Sequence, residues 1–489
     1  MAQDHDNMKK RRKRRAEMQR ERMEEQKRLK RSLAVVGVIL AACAIAVLCM
    51  ARDMGVFQRK EEEQIQAETF PPSVPETTAP VLNPHDPRNK PVTTIHIRAG
   101  GDLNITDDVV SSGKIGKKYD FTRSFIDVQA LLSDADLTLL NYEGSLCGEP
   151  YGTETKSAPA ELLTALTNAG VDMLQTANSY SIYNGLIGMT ATLNTIQNAG
   201  LISVGAYPTV AEAEKSKGYT IVDVRGVKIA FVAFTKGVGG MGMPAGNEEC
   251  VNLLYEDYDT TYQKLNTKKI QKVLRAAAEE EPDITVALLH WGSEYNDTIS
   301  ESQLRIEELM KEEGVSVIIG SHPHTVQKIS FDEENGTLVA YSLGDFYGDA
   351  SRAGTNYSII LDVEIVKDEG AGTTKVTNFS YFPIYTVSQF EREEKNSVYK
   401  QVVRIGSAMD AREGNFVDRI TGDAYKSMEY SLKRISDRVR GVDEEKRKQK
   451  ELEENGLLPK KKKKKDSETV PTGETTEPTG LDTASTPTE

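Results

Sequence analysis

Cysteine, histidine and tryptophan are scarce in this chain of 489 residues, which has four, six and one of them, respectively. Cys43 and Cys49 fall in one apolar segment, so only Cys147 and Cys250 remain for the rest of the chain. At most one disulfide can form there, and the sequence leaves a Cys147–Cys250 bond and two free thiols equally open. We expect the single tryptophan, Trp291, to be a packed aromatic side chain rather than a ligand-stacking one.

Charged residues are absent between Leu33 and Ala51, a run that is long enough to span a bilayer as a helix. Residues 1–32, which precede it, are strongly basic. The positive-inside rule therefore predicts a cytoplasmic segment at 1–32, a transmembrane helix at 33–51 and an exported remainder. A cleaved signal peptide is the alternative, but both the basic region and the apolar run are longer than is usual for one. We expect a single-pass protein of the cell membrane with an extracellular C-terminal domain.

Low-complexity segments flank the central region. Residues 52–93 are polar and rich in proline and threonine, which predicts an extended stalk. Residues 391–455 are predicted to form a helical extension, and residues 456–489 a disordered tail that contains the lysine run Lys460–Lys465. This run either binds a polyanion or is simply solvated. The net charge of −13 includes the basic N-terminus, so the exported part is distinctly acidic, and we expect no nucleic-acid partner.

The region from 94 to 390 alternates apolar runs rich in β-branched residues with longer helical patterns, which is typical of an α/β domain. Arg225-Gly226 separates two such runs and predicts an antiparallel hairpin, so the sheets should be mixed. The predicted strands are Thr94–Ala99, Leu137–Leu140, Val171–Thr176, Tyr219–Val224, Val227–Phe234, Ile284–Leu289, Val315–Ile319, Leu338–Leu343 and Tyr357–Val366. The helices predicted from apolar spacings of three and four are Asp127–Ser133, Ala160–Ala169, Gly188–Ala199, Tyr262–Glu280 and Ser302–Glu313.

Three of the histidines, His290, His322 and His324, fall at the ends of predicted strands, where open α/β sheets place their ligand sites. Pro323 separates the last two and favours an extended backbone. Their side chains are therefore predicted to project to the same side. Such a set of imidazoles can hold one metal ion or two neighbouring ones.

Oxygen donors occupy other predicted strand ends, at Asp102, Asn141, Glu143 and Asn178. Each of these residue types also ends strands through capping and turn formation, so each alone is more often structural. Together with the histidines they predict a centre for a divalent metal ion, with manganese, iron or zinc as the candidates. Glu294 is either a group that orients an imidazole or an ordinary surface carboxylate.

Five short motifs carry a resemblance to a known family. They are AGGD at Ala99–Asp102, NYEG at Asn141–Gly144, HWGSEY at His290–Tyr295, GSHPHTVQ at Gly320–Gln327 and YSLGDF at Tyr341–Phe346. In this order they resemble the CapA family, over about Thr94 to Phe382. The resemblance implies a fold similar to that of the calcineurin-like metallophosphoesterases, with two packed mixed sheets flanked by helices. It also implies a role in the synthesis or export of a poly-γ-glutamate capsule, beside other membrane proteins of capsule synthesis.

One motif departs from the family pattern. The family reads ANNH and then a nearby aspartate, whereas this chain keeps Asn178 but has Ser179, Tyr180 and Tyr183 in place of asparagine, histidine and aspartate. In the related phosphoesterases the motif's asparagine is a metal ligand and its histidine supports the leaving group, so the resemblance makes Asn178 and Tyr180 the candidate catalytic residues. Tyrosine is a poorer acid than histidine near neutral pH. Asp345 stands where the family commonly has asparagine and adds a negative charge that favours a metal ion.

Three functions follow from these observations. The first is a membrane-anchored extracellular protein that binds or hands on an anionic polymer of poly-γ-glutamate type. The second is a metal-dependent phosphoesterase or other hydrolase of the cell envelope. The third is a metal-free scaffold that binds partners. Metal content separates the third from the other two, and turnover separates the second from the first.

Overall fold

The computed structural model describes residues 90–348, 350–393, 399–410, 420–442 and 445–446, which all fall within one compact unit of the chain. The predicted cytoplasmic segment, transmembrane helix and tail lie outside the described residues, as does the predicted stalk up to residue 89. Within the described part, no helix is long and apolar enough to cross a bilayer.

Strands and helices alternate along most of the described chain. The strands are β1 (Val92–Asn104), β2 (Lys114–Ile115), β3 (Lys118–Tyr119), β4 (Leu137–Glu143), β5 (Met173–Gln175), β6 (Ile202–Val204), β7 (Tyr219–Val224), β8 (Val227–Thr235), β9 (Ile284–His290), β10 (Val317–Ser321), β11 (Ile329–Asp332), β12 (Thr337–Ala340), β13 (Asp345–Tyr347), β14 (Tyr357–Asp368), β15 (Thr373–Val387) and β16 (Gln401–Arg404). The helices are α1 (Asp107–Ser112), α2 (Thr122–Ser133), α3 (Glu161–Ala169), α4 (Gly185–Asn198), α5 (Val210–Ser216), α6 (Thr267–Ala278), α7 (Glu301–Glu312), α8 (Ile405–Asp410) and α9 (Gly422–Val439).

Two of the sheets are large and mixed. The first has the order β16-β15-β14-β1-β4-β5-β6, with β13 paired to β1. Its strands β1, β4, β5 and β6 are parallel, whereas β14, β15 and β16 are joined by antiparallel pairs. The second has the order β11-β12-β10-β9-β8-β7, in which β12, β10, β9 and β8 are parallel. The parallel strands of each sheet therefore end at a common edge.

The hairpin predicted at Arg225-Gly226 is confirmed. Strands β7 and β8 pair in antiparallel register from Tyr219 opposite Val232 to Val224 opposite Val227. Both turn residues have positive φ, 53° at Arg225 and 85° at Gly226, as tight hairpin turns between right-twisted strands require.

The two large sheets pack face to face, and helices cover their outer faces. Alternation along β8 shows this directly, because Phe231 belongs to the core between the sheets whereas Val232 belongs to the core beneath α6 and α7. A third core joins the outer face of the first sheet to α2 and α3 through residues such as Phe125 and Leu166. The predicted α/β architecture of two packed mixed sheets flanked by helices is confirmed.

Several predicted boundaries differ from the structure. The helix predicted to begin at Tyr262 begins at Thr267, because the Asn266 side chain caps it by accepting from the backbone nitrogen of Lys269. The strand predicted to reach Leu343 ends at Ala340 in β12. The sequence also gave no prediction for β15, whose outer half is polar and exposed and therefore lacks a continuous apolar run.

The chain beyond residue 390 was predicted to be a helical extension. Its described part contains the helices α8 and α9 and also supplies β16 to the first sheet. Helix α9 contributes buried side chains, among them Met428 and Ile435, to the core between the sheets. It is thus part of the same folded core. Of the two alternatives for the cysteines, the structure has free thiols, with Cys147 exposed and Cys250 buried.

Candidate metal centre

Five predicted ligands converge where the strands of the two sheets end. Asp102 lies near the end of β1, Glu143 and His290 are the last residues of β4 and β9, and His322 and His324 follow β10. Because β1 and β4 are parallel in the first sheet and β9 and β10 in the second, the carboxyl ends of each pair lie at one edge of their sheet. The two edges meet, since Glu143 lies 2.8 Å from His290. All five side chains are buried, with at most 6% of their surface exposed.

Glu143 is shared by two groups of metal-binding side chains. One group combines it with His290 and His322, and the other with Asp102 and His324; in each, the ligand atoms lie within 4.8 Å of one another. The two oxygens of Glu143 face different imidazoles, because Oε1 is 2.8 Å from Nε2 of His290 and Oε2 is 3.7 Å from Nε2 of His324. One carboxylate therefore joins both groups.

The hydrogen bonds around Thr235 set the tautomer of His290. The Thr235 hydroxyl donates its only hydrogen to the carbonyl oxygen of Gly237, 2.7 Å away. It must then accept the 3.1 Å hydrogen bond that joins it to Nδ1 of His290. Burial lowers the pKa of His290, so the ring is neutral near pH 7 and Nε2 carries a lone pair directed at Glu143.

Asp345 orients the ring of His324 through its Nδ1 atom, as Thr235 orients the ring of His290. Its Oδ1 lies 2.7 Å from Nδ1 of His324, which leaves Nε2 facing Glu143. A carboxylate on the far nitrogen is the usual partner of a metal-binding histidine. Burial alone would lower the pKa of His324, but the carboxylates of Asp345, Glu143 and Asp102 outweigh it and raise that pKa well above its usual value.

The electrostatics of the site fit a divalent cation. Burial, followed by repulsion from Glu143, raises the pKa of Asp102 well above its usual range. Burial, followed by the proximity of His290, lowers the pKa of His322 far below its usual value, so this imidazole is also neutral. Neutral imidazoles and crowded carboxylates are the donors that manganese, iron and zinc accept. These residues can hold a metal ion.

The two asparagines position other groups. Asn141 donates through Nδ2 to Oδ1 of Asp102 at 2.7 Å and to Oε1 of Glu143 at 3.1 Å, which separates the two carboxylates. Asn178 donates to the carbonyl oxygen of Tyr142 at 2.6 Å, and its Oδ1 accepts from the backbone nitrogen of Tyr180 at 3.0 Å. The amide of Asn178, a predicted catalytic residue, thus links the end of β4 to the loop that follows β5.

The predicted extended backbone at His322-Pro323-His324 is wrong. His322 and His324 have φ values of 92° and 56°, in the left-handed region. Two hydrogen bonds hold this turn: the backbone nitrogen of His322 donates to Oδ2 of Asp102 at 3.1 Å, and that of Tyr295 donates to the carbonyl oxygen of Pro323 at 2.8 Å. The two imidazoles nevertheless reach the same site, with ring centroids 6.3 Å apart.

Tyr180 and Glu294 lie at the rim of the centre. Tyr180 is half-buried, and burial followed by the charges of Glu143 and Glu294 raises its pKa, so its hydroxyl stays protonated and can donate a hydrogen bond. Glu294 is exposed. The groups that hold Nδ1 of His290 and of His324 are Thr235 and Asp345, not Glu294.

Three cations that the sequence did not suggest also surround the centre. Lys156 places Nζ 4.5 Å from the ring centroid of Tyr180. Burial opposes a lower pKa at Glu143, but the charge of His324 and, to a smaller extent, that of Lys156 lower it. Lys236 donates to the carbonyl oxygen of Gly292 at 2.7 Å, and its charge adds to burial in lowering the pKa values of His290 and His322. Arg352 lies 4.0 Å above the ring of Tyr295. Three cationic side chains therefore lie around the centre, together with the exposed carboxylate of Glu294.

A protein family model matches the part of the chain that contains this site. The family model for the bacterial capsule synthesis protein PGA_cap matches residues 96–350, which is more than half of the chain and includes the five ligands. The chain belongs to the PGA_cap family.

Two curated relatives of the PGA_cap protein have names that refer to capsule synthesis. The PGA biosynthesis protein CapA of Bacillus subtilis is 30% identical over 217 residues, which cover 44% of this chain and 53% of that protein. The capsule biosynthesis protein CapA of Bacillus anthracis is 26% identical over 299 residues, which cover 60% of this chain and 69% of that protein. The match to the Bacillus subtilis protein thus spans about half of its length.

Solved structures similar to this PGA_cap chain include two phosphoesterases. The calcineurin-like phosphoesterase YfkN from Bacillus subtilis has a TM-score of 0.38 at 18% identity, covering 70% of this chain and 100% of that one. A phosphatase from Mycoplasma pneumoniae has a TM-score of 0.38 at 12% identity, covering 60% and 94%. The two-sheet architecture of this chain follows from its own strand pairing and not from these similarities.

Proposed function

We propose that this PGA_cap protein binds an anionic polymer of poly-γ-glutamate type outside the cell, at the metal centre around Glu143. The observation that carries the proposal is the position of this carboxylate between two donor groups, inside a rim that contains Lys156, Lys236 and Arg352. A bound divalent ion would add positive charge to which carboxylate or phosphoryl oxygens bind. The names of the relatives support a capsule polymer as the ligand.

The location belongs to the same proposal. The uncharged run Leu33–Ala51 after a basic segment favours a single-pass anchor in the cell membrane, with the folded domain outside. Other membrane proteins of capsule synthesis are the expected partners. The chain is acidic overall, so a polyanion needs a local cationic surface, and the three rim cations supply one.

A binding measurement tests this proposal. The full chain, loaded with manganese, is titrated with poly-γ-glutamate before and after treatment with a chelator. We expect binding that the chelator abolishes. Arg352→Gln should weaken it by roughly fivefold, the effect of about 1 kcal/mol from one exposed charge. Arg123→Gln is the matched control, because Arg123 is also exposed and also lies over a tyrosine ring, 5.4 Å from that of Tyr399.

Hydrolysis is the second candidate function. It is favoured by the sharing of Glu143 between two donor groups, since paired metal ions serve phosphoester hydrolysis by binding the attacking and leaving oxygens. In that reaction water adds to phosphorus, the phosphorus–oxygen ester bond breaks and the leaving oxygen takes a proton. Tyr180 can donate a hydrogen bond there but is a weak acid. Release of product from a simple phosphodiester, absent in Glu143→Gln, would support this function.

A further inference from the structure

A cavity apart from the metal centre lies between the loop that precedes β14 and helix α9. Its volume is about 460 Å³, which is within the range of small-ligand sites. The side chains that line it from α9 include those of Lys426, Tyr430, Arg434 and Arg438. Gly354 lines it from the loop and Tyr357 from the start of β14. None of these residues belongs to the metal centre, and three of them are cationic.

Arg438 is the residue that points to a ligand. Its side chain is 10% exposed, and Nη2 lies 3.3 Å from Oδ2 of Asp297. Its Nε and Nη1 atoms are buried and have no hydrogen-bond partner among the described residues. A guanidinium is always charged, and leaving its donors buried without acceptors is unfavourable. These two atoms are enclosed by protein, but the guanidinium group lines the cavity, so its charge favours an anion there.

A carboxylate already binds at this wall. Oδ2 of Asp297 lies 3.3 Å from Nη2 of Arg438 and 3.8 Å from Nη2 of Arg434, so one carboxylate lies against two guanidinium groups. Lys426 is 74% exposed at the cavity mouth and pairs with Asp423 at 2.9 Å. Planar guanidinium groups match the geometry of carboxylates and phosphates. The guanidinium groups of the wall can therefore bind a carboxylate or a phosphate.

Two loops connect this cavity to the metal centre. Asp297 is two residues beyond Tyr295, whose ring stacks on His324 with centroids 5.3 Å apart. Arg352, which lies over the same tyrosine ring, is two residues before Gly354 in the cavity wall. The two sites therefore border the same two loops, so a ligand with anionic groups repeated along its length is suited to occupy both.

We infer that the cavity beside α9 is a second anion-binding site, separate from the metal centre, which takes a carboxylate of the same polymer chain. The inference rests on the proposed function and extends it, because two sites along one repeating polyanion bind it more tightly than either alone. Inorganic phosphate shares the relevant chemistry, so the test includes both anions.

The first experiment compares polymer binding by variants of the manganese-loaded full chain. Arg438→Gln should weaken poly-γ-glutamate binding by about tenfold or more, as expected from the loss of charge-assisted hydrogen bonds. Lys426→Gln, an exposed substitution that leaves the core intact, should weaken it roughly threefold. Arg440→Gln is the control, because Arg440 is an exposed arginine at the end of the same helix and does not line the cavity. Wild-type affinity in both cavity variants would overturn the inference and leave the proposed function standing.

The second experiment separates the cavity from the metal centre. The metal-free full chain is heated with glutarate or with inorganic phosphate, and the unfolding temperature is compared for wild type, Arg438→Gln and Lys426→Gln. Suppose that glutarate raises the unfolding temperature of the wild type but not that of either variant. This result supports a carboxylate site, even if the polymer does not bind at the metal centre. If phosphate alone raised the unfolding temperature, the ligand would not be a carboxylate. If neither anion raised it, the cavity would not be an anion-binding site.

Discussion

Nε2 of His290 and Oε1 of Glu143 lie 2.8 Å apart in the buried centre of the site. The other ring nitrogen carries the proton, since Thr235 uses its own hydrogen on Gly237 and must accept from Nδ1. Two lone pairs thus face each other when the imidazole is neutral and the carboxylate ionised. A proton or a metal ion between them removes the repulsion, so we expect protons and metal ions to compete for this site.

The affinity for metal ions is expected to rise with pH. In the metal-free protein, Asp345, Glu143 and Asp102 outweigh burial and raise the pKa of His324, so this ring is protonated at neutral pH and an incoming ion must displace its proton. Affinity should therefore increase by about tenfold per pH unit for each displaced proton from about pH 6 to about pH 8. Competition with a chelating dye at several pH values measures this. An affinity independent of pH would contradict the protonation state assigned to His324.

Replacing Asp345 with asparagine tests the support of His324. The change removes the carboxylate that holds Nδ1 at 2.7 Å, and we expect metal affinity to fall by about 10- to 100-fold, as for other outer partners of metal-binding histidines. The same chelator competition measures it. The resemblance to the family leads us to expect asparagine at this position. An unchanged metal affinity in the variant would show that the aspartate of this chain does not compensate for the altered motif at Tyr180.

Asp362→Asn is the matched control for that variant. Asp362 also holds Nδ1 of a histidine, His96, at 3.0 Å, and it pairs with Arg98 on the same sheet. Its replacement should lower the free energy of unfolding, because the buried ion pair with Arg98 is broken, but leave metal affinity unchanged. Equal losses of affinity in both variants would indicate a general weakening of the fold.

Tyr180→His tests whether the missing imidazole limits hydrolysis. Burial and the charges of Glu143 and Glu294 raise the pKa of Tyr180, so its proton is held too tightly for acid catalysis near neutral pH. A histidine there is expected to increase phosphodiester turnover by about 100-fold, the usual contribution of a positioned acid. Tyr180→Phe should show no such gain. Equal turnover in the two variants would mean that this position does not limit the reaction.

The sequence predicted the ligands because their signal is local. His290 and Glu143 end apolar β-branched runs, and within a parallel sheet such ends lie at one edge. The two residues belong to different sheets, so the packing of the sheets brings them together. Thr235 follows the predicted strand Val227–Phe234 by the same rule and could have been found. Lys156 and Arg352 lie in loops, and only the tertiary fold brings them to the rim.

The fold was predictable where packing follows simple periodicity. β7 has the bounds predicted for it, since a tight turn fixes its end and register. β15 was missed because its alternation is weak and its exposed outer half is polar. The backbone at His322 and His324 also could not be inferred, because its positive φ values depend on hydrogen bonds to Asp102 and Tyr295, far away in sequence.

The most direct test of the account is the metal content of the full chain and of its Glu143→Gln variant, by elemental analysis. Glu143 belongs to both donor groups, so its loss should disrupt both. Glu294→Gln is the control, since it removes an exposed carboxylate at the rim. We predict at least one manganese, iron or zinc ion per chain in the wild type and in the control, and none above background in Glu143→Gln. Equal metal content in all three proteins, or none in any of them, would contradict a metal centre at Glu143.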